Sequence, residues 1–219
     1  MEDSLTKDKM ILERIVVGPF EVNCYIFGDA KTKEVVVIDP GENFPLIWDG
    51  IQEGKYHVKG IVLTHGHADH IGAVGELKNK TQAPIYIHPE DKEMLTDPKL
   101  NRSIYFGVAI TAPAADKFLK EGDILKIGNV SLKVIHTPGH TPGGICLEYD
   151  KILFTGDTLF ASSIGRTDFP GSSFQSLIDS IKKKLLILPD EIEVFPGHGP
   201  SSTIGEERVS NPFLQEELV

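Results

Sequence analysis

The sequence predicts an α+β fold built in two halves, each a group of short strands followed by a helix. Three observations carry that reading. Short runs rich in β-branched and aromatic residues, cut by Gly, Pro, Asn and Asp, fall into two groups. Each group is followed by apolar residues at helical spacing: Ile71, Val74 and Leu77 in the first half, and Phe174, Leu177, Ile178, Ile181 and Leu185 in the second. No internal repeat, low-complexity segment or linker-like break in composition separates the halves, so the 219 residues read as a single domain, 1–219.

Ile11 to Val17, Val22 to Phe27 and Val35 to Ile38 open the chain as a meander of strands, separated by Gly18-Pro19 and by Asp29 to Lys33. The third strand ends in the turn Asp39-Pro40-Gly41, and Phe44 to Gln52 forms a short helix. Gly60 to Leu63 is a buried strand, and Ile71 to Lys80 is the helix that follows it. Ile85 to Ile87 is a small strand, after which His88-Pro89 starts a short helix with Glu90, Asp91 and Glu93 early in it, where the helix dipole favours acid. From Asp97 to Lys117 neither period holds, and the stretch is either a cover over a site or a surface connection.

The second half opens with two hairpins. Ile124 to Ile127 and Val130 to Ile135 turn at Gly128-Asn129, and Gly144 to Glu148 and Ile152 to Thr155 turn at Tyr149-Asp150-Lys151. Ser172 or Ser173 caps the helix that reaches Leu185, and Pro189 lies beyond its end. Ile192 to Phe195 is a last strand and Ile204 to Val209 a last helix.

Composition narrows the function classes. The hydrophobic share of 40% and charged share of 25% are ordinary for a globular protein. A net charge of −10 argues against a nucleic-acid backbone or an anionic membrane surface as partner. Cys24 and Cys146 each lie in an apolar strand-like run and read as buried free thiols. Met1 to Lys9 is charged and has no apolar core, and no run approaches the length of a membrane span, so the expected location is cytoplasmic.

The stretch Thr64-His65-Gly66-His67-Ala68-Asp69-His70 packs three imidazoles and a carboxylate into six consecutive residues. Imidazole and carboxylate together suit zinc or iron, and crowded histidines have little structural use without a cation to share. The run lies between a strand and a helix. His65 and His67 are two apart, so in extended backbone both reach one ion. Asp69 and His70 come where the chain turns into the helix and point elsewhere, which suits a neighbouring ion.

Three further candidates each follow an apolar run and a Gly or Pro turn: His140 after Val134 to Gly139, Asp157 after Ile152 to Gly156, and His198 after Val194 to Gly197. Loops at one edge of a rigid sheet are where active sites form. Five of the eight histidines fall in these loops, which leaves His57, His88 and His136 as ordinary residues. Asp39, beside a buried strand end, is a candidate to orient a ligand histidine; the alternative is a plain turn aspartate.

The set His-x-His-x-Asp-His with the distant His140, Asp157 and His198 resembles the metallo-β-lactamase superfamily over nearly the whole chain. Within it, Thr64 to His70, His136 to Gly144, Gly156 to Phe160, Gly165 to Asp168 and Pro196 to His198 are most similar to the short, single-domain glyoxalase II-like (hydroxyacylglutathione hydrolase-like) type. The resemblance implies a four-layer αββα sandwich with a metal pair at one edge of the sheets. It implies that His65, His67 and His140 hold the first ion, that Asp69, His70 and His198 hold the second, and that Asp157 bridges them. The implied cofactor is two divalent transition-metal ions, zinc first, with iron or manganese as alternatives.

Such a pair lowers the pKa of a bridging water and generates hydroxide for attack on a carbonyl, with Asp69 orienting it and Asp157 placing it. A thiolate, with a pKa of about 8.5, leaves without a strong acid, and no spare acid is evident near the motifs, so a small-molecule thioester such as S-lactoylglutathione is the expected substrate. Arg166 matches the basic residue that holds a glutathione carboxylate in glyoxalase II enzymes. Asp168 and Pro200 stand where those enzymes carry tyrosines, and about twenty residues follow His198 in place of their helical extension. The alternatives are a persulfide dioxygenase with a single iron, which the same fold carries, and a non-catalytic metal-binding module. Vacant metal positions argue against the module.

Overall fold

The structure, a computed structural model, describes residues 9–215, so nearly all of the charged leading segment lies outside the described residues. Two six-stranded sheets face each other. The first is built from β1 (Met10–Val17), β2 (Val22–Asp29), β3 (Glu34–Ile38), β4 (His57–Val62), β5 (Ile85–Ile87) and β6 (Lys117–Phe118), in that spatial order. Its first three strands are antiparallel and the rest run parallel to β3.

The second sheet uses β7 (Ile124–Ile127), β8 (Val130–His136), β9 (Ile145–Tyr149), β10 (Ile152–Gly156), β13 (Glu193–Pro196) and β14 (Ser202–Thr203). Its order is β14-β13-β10-β9-β8-β7, with β10 and β13 parallel. A two-stranded ribbon, β11 (Leu159–Phe160) with β12 (Ser163–Ile164), hangs beyond β10.

Alternation along the strands sorts side chains between layers. On β3, Val35 and Val37 pack towards helices while Val36 and Ile38 face the other sheet; on β2, Cys24 and Ile26 take the first role and Tyr25 and Phe27 the second. A strand buried on both faces must be apolar throughout, which is why these runs show no polar alternation. The inter-sheet layer centres on Phe154, whose ring lies 5.0 Å from Tyr25, 5.5 Å from Phe27 and 5.8 Å from Phe195. Truncating such a side chain to alanine costs about 3–5 kcal/mol.

Helices cover both outer faces. α1 (Phe44–Gly54) buries Ile47 and Ile51, and α3 (Val74–Thr81) buries Val74 and Leu77, against the first sheet. α4 (Phe174–Ser180), capped by Ser173, and α5 (Ile204–Ser210), closed by a capping box between Thr203 and Glu206, cover the second. Helix, sheet, sheet and helix form four layers.

Two helices differ from the sequence expectation. The helix predicted over Ile71 to Lys80 is broken into α2 (Ala68–Ile71) and α3, because the Ala73 amide donates to the Pro40 carbonyl at 3.0 Å and a Cβ on Gly72 would fall 2.1 Å from the Gly41 carbonyl oxygen. The neighbouring turn therefore crosses the helix path. The helix ending at Leu185 loosens into a π segment over Ile181–Leu185. Cys24 and Cys146 are buried free thiols, pushed up in pKa by burial. No helix among the described residues is long and apolar enough to cross a membrane.

Candidate metal centre

Loops following β4, β8, β10 and β13 bring all seven predicted ligand residues to one edge of the sandwich. His65, His67 and His140 form one set and Asp69, His70 and His198 another, with one ligating atom per residue within 4.8 Å of the others. Asp157 touches both. Its Oδ2 lies 3.5 Å from His140 Nε2 and 3.5 Å from His198 Nε2, and its Oδ1 lies 3.4 Å from His70 Nε2. Gly197 permits this approach, since a Cβ there would stand 2.3 Å from Asp157 Oδ1.

The outward ring nitrogens decide which lone pairs face inward. His140 Nδ1 donates to the Arg166 carbonyl at 2.7 Å, and His198 Nδ1 to the Phe20 carbonyl at 2.9 Å. The Thr64 hydroxyl proton goes to Asp39 Oδ2 at 2.6 Å, so Thr64 Oγ1 accepts from His65 Nδ1 at 3.1 Å. Asp39 Oδ2 also lies 3.1 Å from His70 Nδ1. Four histidines therefore turn Nε2 to the centre; His67 instead points Nδ1 there, 2.9 Å from His140 Nε2. His65 Nε2 and Asp157 Oδ1 are buried with no hydrogen-bond partner. Orphaned buried acceptors converging from several loops are what a cation needs, so the donor set fits a metal pair.

Electrostatics divide the histidines into two kinds. Burial, reinforced by neighbouring imidazoles, holds His65 well below the ordinary histidine range and lowers His67 to about 3, so both lone pairs are open. Burial also opposes charge on His70, but Asp157, Asp69 and Asp39 around it outweigh that and raise its pKa. Burial pushes the Asp157 carboxyl up, yet the contact with His70 wins and keeps it ionised. Neutral His65 and His67 and ionised Asp157 are in the protonation states that metal ligands require, whereas His70 and His198, raised despite burial by the carboxylates around them, would release a proton on binding an ion.

Asp39 therefore stands beside His70 and accepts also from the Thr64 amide at 2.8 Å. A second buried carboxylate, Asp91, does more than the first-turn acid that the sequence pattern makes of it. It accepts from the Gly66 amide (3.2 Å), the Thr141 hydroxyl (2.7 Å) and the Gly143 amide (2.7 Å), and so pins the loop of His65 and His67 to the loop of His140. Its signal was legible: Asp91 shares a face with buried Met94 and Leu95, and a carboxylate on the apolar stripe of a short helix needs a reason. The His198 loop is held by Asn23, whose amide side chain donates to the Pro196 and Gly199 carbonyls, and by the Tyr25 hydroxyl on Pro196. Of the ordinary histidines, His136 makes the local bond expected of a strand end, Nε2 to the Pro142 carbonyl at 2.9 Å, and stacks on His88.

Above the centre lies a cleft of about 290 Å³ lined by His67, Asp69, Asp157, three phenylalanines (Phe20, Phe160, Phe169) and two arginines, Arg102 and Arg166. Arg166 is at the cleft as expected, but its guanidinium is paired with Asp168. The stretch from Asp97 to Lys117 is more than a surface connection. Asn101 is fully buried, its carbonyl receives the Ala68 amide at 2.9 Å, and its side chain donates to the Met94 and Ile110 carbonyls. An apolar recess of about 330 Å³ shares Phe20 and Asp69 with the cleft and is walled by Val17, Val22, Val108 and Ile110.

Comparison with known proteins places this geometry. The family model described as "Metallo-beta-lactamase superfamily" matches residues 17–198. The chain is 40% identical to the hydroxyacylglutathione hydrolase GloC of Haemophilus influenzae, covering 95% of this chain and 100% of that one. Among solved structures it is similar to BLEG-1 B3 metallo-beta-lactamase (TM-score 0.90, 40% identity, 94% of this chain and 100% of that one). It is also similar to TTHA1623, solved in a di-iron-bound form (TM-score 0.82, 35% identity, 92% and 100%). Four layers, two sets of histidines and carboxylates at one sheet edge, and a family match over most of the sequence lead to one conclusion: this chain belongs to the metallo-beta-lactamase superfamily and has its fold.

Proposed function

We propose that the chain is a metal-dependent hydrolase of small acyl thioesters, with S-lactoylglutathione as the representative substrate. His65, His67 and His140 would hold one ion and Asp69, His70 and His198 the other, with Asp157 shared; histidine with carboxylate suits zinc or iron. Bound there, two cations supply the Lewis acidity that makes water nucleophilic near neutral pH.

The chain's own residues do the rest. Asp69 has a side chain 26% exposed against 11% for Asp157, so it is the carboxylate open to the cleft and suited to orient water and hold its proton. Phe20, Phe160 and Phe169 keep bulk water from the reacting carbonyl. The arginine-bearing wall faces the leaving thiol.

The observation that carries the thioester reading is the cleft lining. Apart from the two arginines, which stay charged, every titratable side chain in it belongs to the ligand sets. Beyond Asp69, which takes its proton from the water, the cleft offers no acid for a departing amine, whereas a thiolate needs no such donor. The similarity to GloC supports the same class.

The test is release of free thiol from S-lactoylglutathione by metal-replete protein, beside the matching lactoyl amide. Thioester turnover without amide turnover is expected. Absence of thiol release, or oxygen consumption with a persulfide substrate, overturns the reading.

A further inference from the structure

The two guanidiniums of the cleft wall differ in what neutralises them. Arg166 gives Nε and Nη2 to the Asp168 carboxylate at 3.0 and 2.7 Å, so its fork is filled and the pair has no net charge. Both side chains are about two-thirds exposed, at 67% and 64%, where water and salt screen what remains. A substrate carboxylate at Arg166 competes with Asp168 for the Nε and Nη2 donors.

Arg102 is held differently. Its Nη2 donates to the Pro170 carbonyl at 2.5 Å, its Nε is buried without a hydrogen-bond partner, and among the described residues no carboxylate pairs with it. A carbonyl fixes the direction of a guanidinium without cancelling its charge. The side chain is half-buried, so its field is screened less than that of Arg166. Both guanidiniums stand over the Phe169 ring, Arg166 at 4.5 Å and Arg102 at 5.5 Å from its centroid, which aligns Arg102 with the cleft.

The backbone shows the same commitment. Arg102 has φ of +74°, a conformation that costs energy for any residue but glycine. Its neighbour Asn101 bears the bonds that anchor this stretch beside Asp69, so the strain is supported from next door.

We infer that Arg102, rather than Arg166, is the specificity-determining anchor for a carboxylate on the thiol portion of the substrate. The assignment rests on the thioester reading for what the carboxylate belongs to, and on geometry alone for where the anion binds. It selects thiols that bear an acid group over neutral ones.

The test is calorimetric titration of metal-replete protein with S-methylglutathione, an unhydrolysable thioether with two carboxylates. R102Q should weaken binding by roughly 10- to 100-fold, the range of one charged hydrogen bond, and R166Q by less than about threefold. In the R102Q background, D168N should recover part of the loss by freeing Arg166, and by a larger factor than it adds to the parent, which a merely structural role for Arg102 does not produce. A variant-free reading guards against misfolding: the parent should bind the diester of the same probe far more weakly, and its affinity for the diacid should fall with salt.

Equal losses in R102Q and R166Q, equal binding of diacid and diester, or no binding by the parent at millimolar probe overturn the anchor. Lactoyl thioester turnover in the same preparations separates the two readings. Binding that depends on Arg102 without turnover sinks the thioester function and leaves the anchor standing; turnover with no change in acid-over-neutral preference in R102Q sinks the anchor alone.

Discussion

Asp39 Oδ2 lies 3.1 Å from His70 Nδ1, while the same carboxylate holds the amide and hydroxyl of Thr64, the residue that receives the His65 Nδ1 proton. One side chain just past β3 therefore stands against His70 directly and against His65 through Thr64, one histidine from each set. Asp39→Ala should lower metal affinity about 10- to 100-fold, as loss of an orienting carboxylate does. Chelator competition checks it, and an unchanged affinity would show that the rings are held by packing alone.

Protein purified without chelator should carry close to two transition-metal ions per chain. Asp157→Ala removes the group that touches both sets, so elemental analysis should find at most one ion and thiol release should fall by orders of magnitude. His57→Ala, on an exposed strand end, should leave both intact. A parent that holds one ion under metal-replete conditions would favour the single-iron alternative.

Asp91 joins two ligand loops through three buried hydrogen bonds. Asp91→Ala leaves the Gly66 and Gly143 amides and the Thr141 hydroxyl without their acceptor, at a cost of about 2–5 kcal/mol. Urea unfolding of the metal-free protein should show a lower midpoint with an unchanged slope. A shift no larger than that of a surface substitution would mean that the loops are joined by other contacts.

His88 supplies a pH dependence away from the metal centre. Burial, with His136 stacked on it and Lys120 nearby, lowers its pKa to about 4 from the ordinary 6.5. Between those values the unfolded chain binds a proton that the folded chain refuses. The stabilisation is full above pH about 6.5 and is lost as pH falls towards 4. His88→Gln should flatten the fall of the urea midpoint across that window. Parallel curves for parent and variant would refute the assignment.

How much of this was written in the sequence follows from the range over which each signal acts. Strand runs and turn residues are local, so the two groups of strands, the hairpins and the capped helices of the second half appear where pattern places them. The candidate ligands are legible locally too: His65, His67, Asp69 and His70 stand out by spacing, and His140, Asp157 and His198 by their place after buried strands, and the structure brings all seven together. Asp39 was a candidate on the same ground.

What needed the tertiary structure depends on contacts between segments far apart in sequence. The helix expected over Ile71 to Lys80 breaks because Pro40 and Gly41, some thirty residues earlier, cross its path. The apolar face that Asp91 shares with Met94 and Leu95 marks it in the sequence, but only folding supplies its partners Gly66, Thr141 and Gly143. Arg102 sat in a stretch with no period at all, while Arg166 stood out by its motif. Arg166 is paired with Asp168 two residues on, a local contact, whereas only folding brings Arg102 to the Pro170 carbonyl and leaves it facing the cleft with its charge uncancelled.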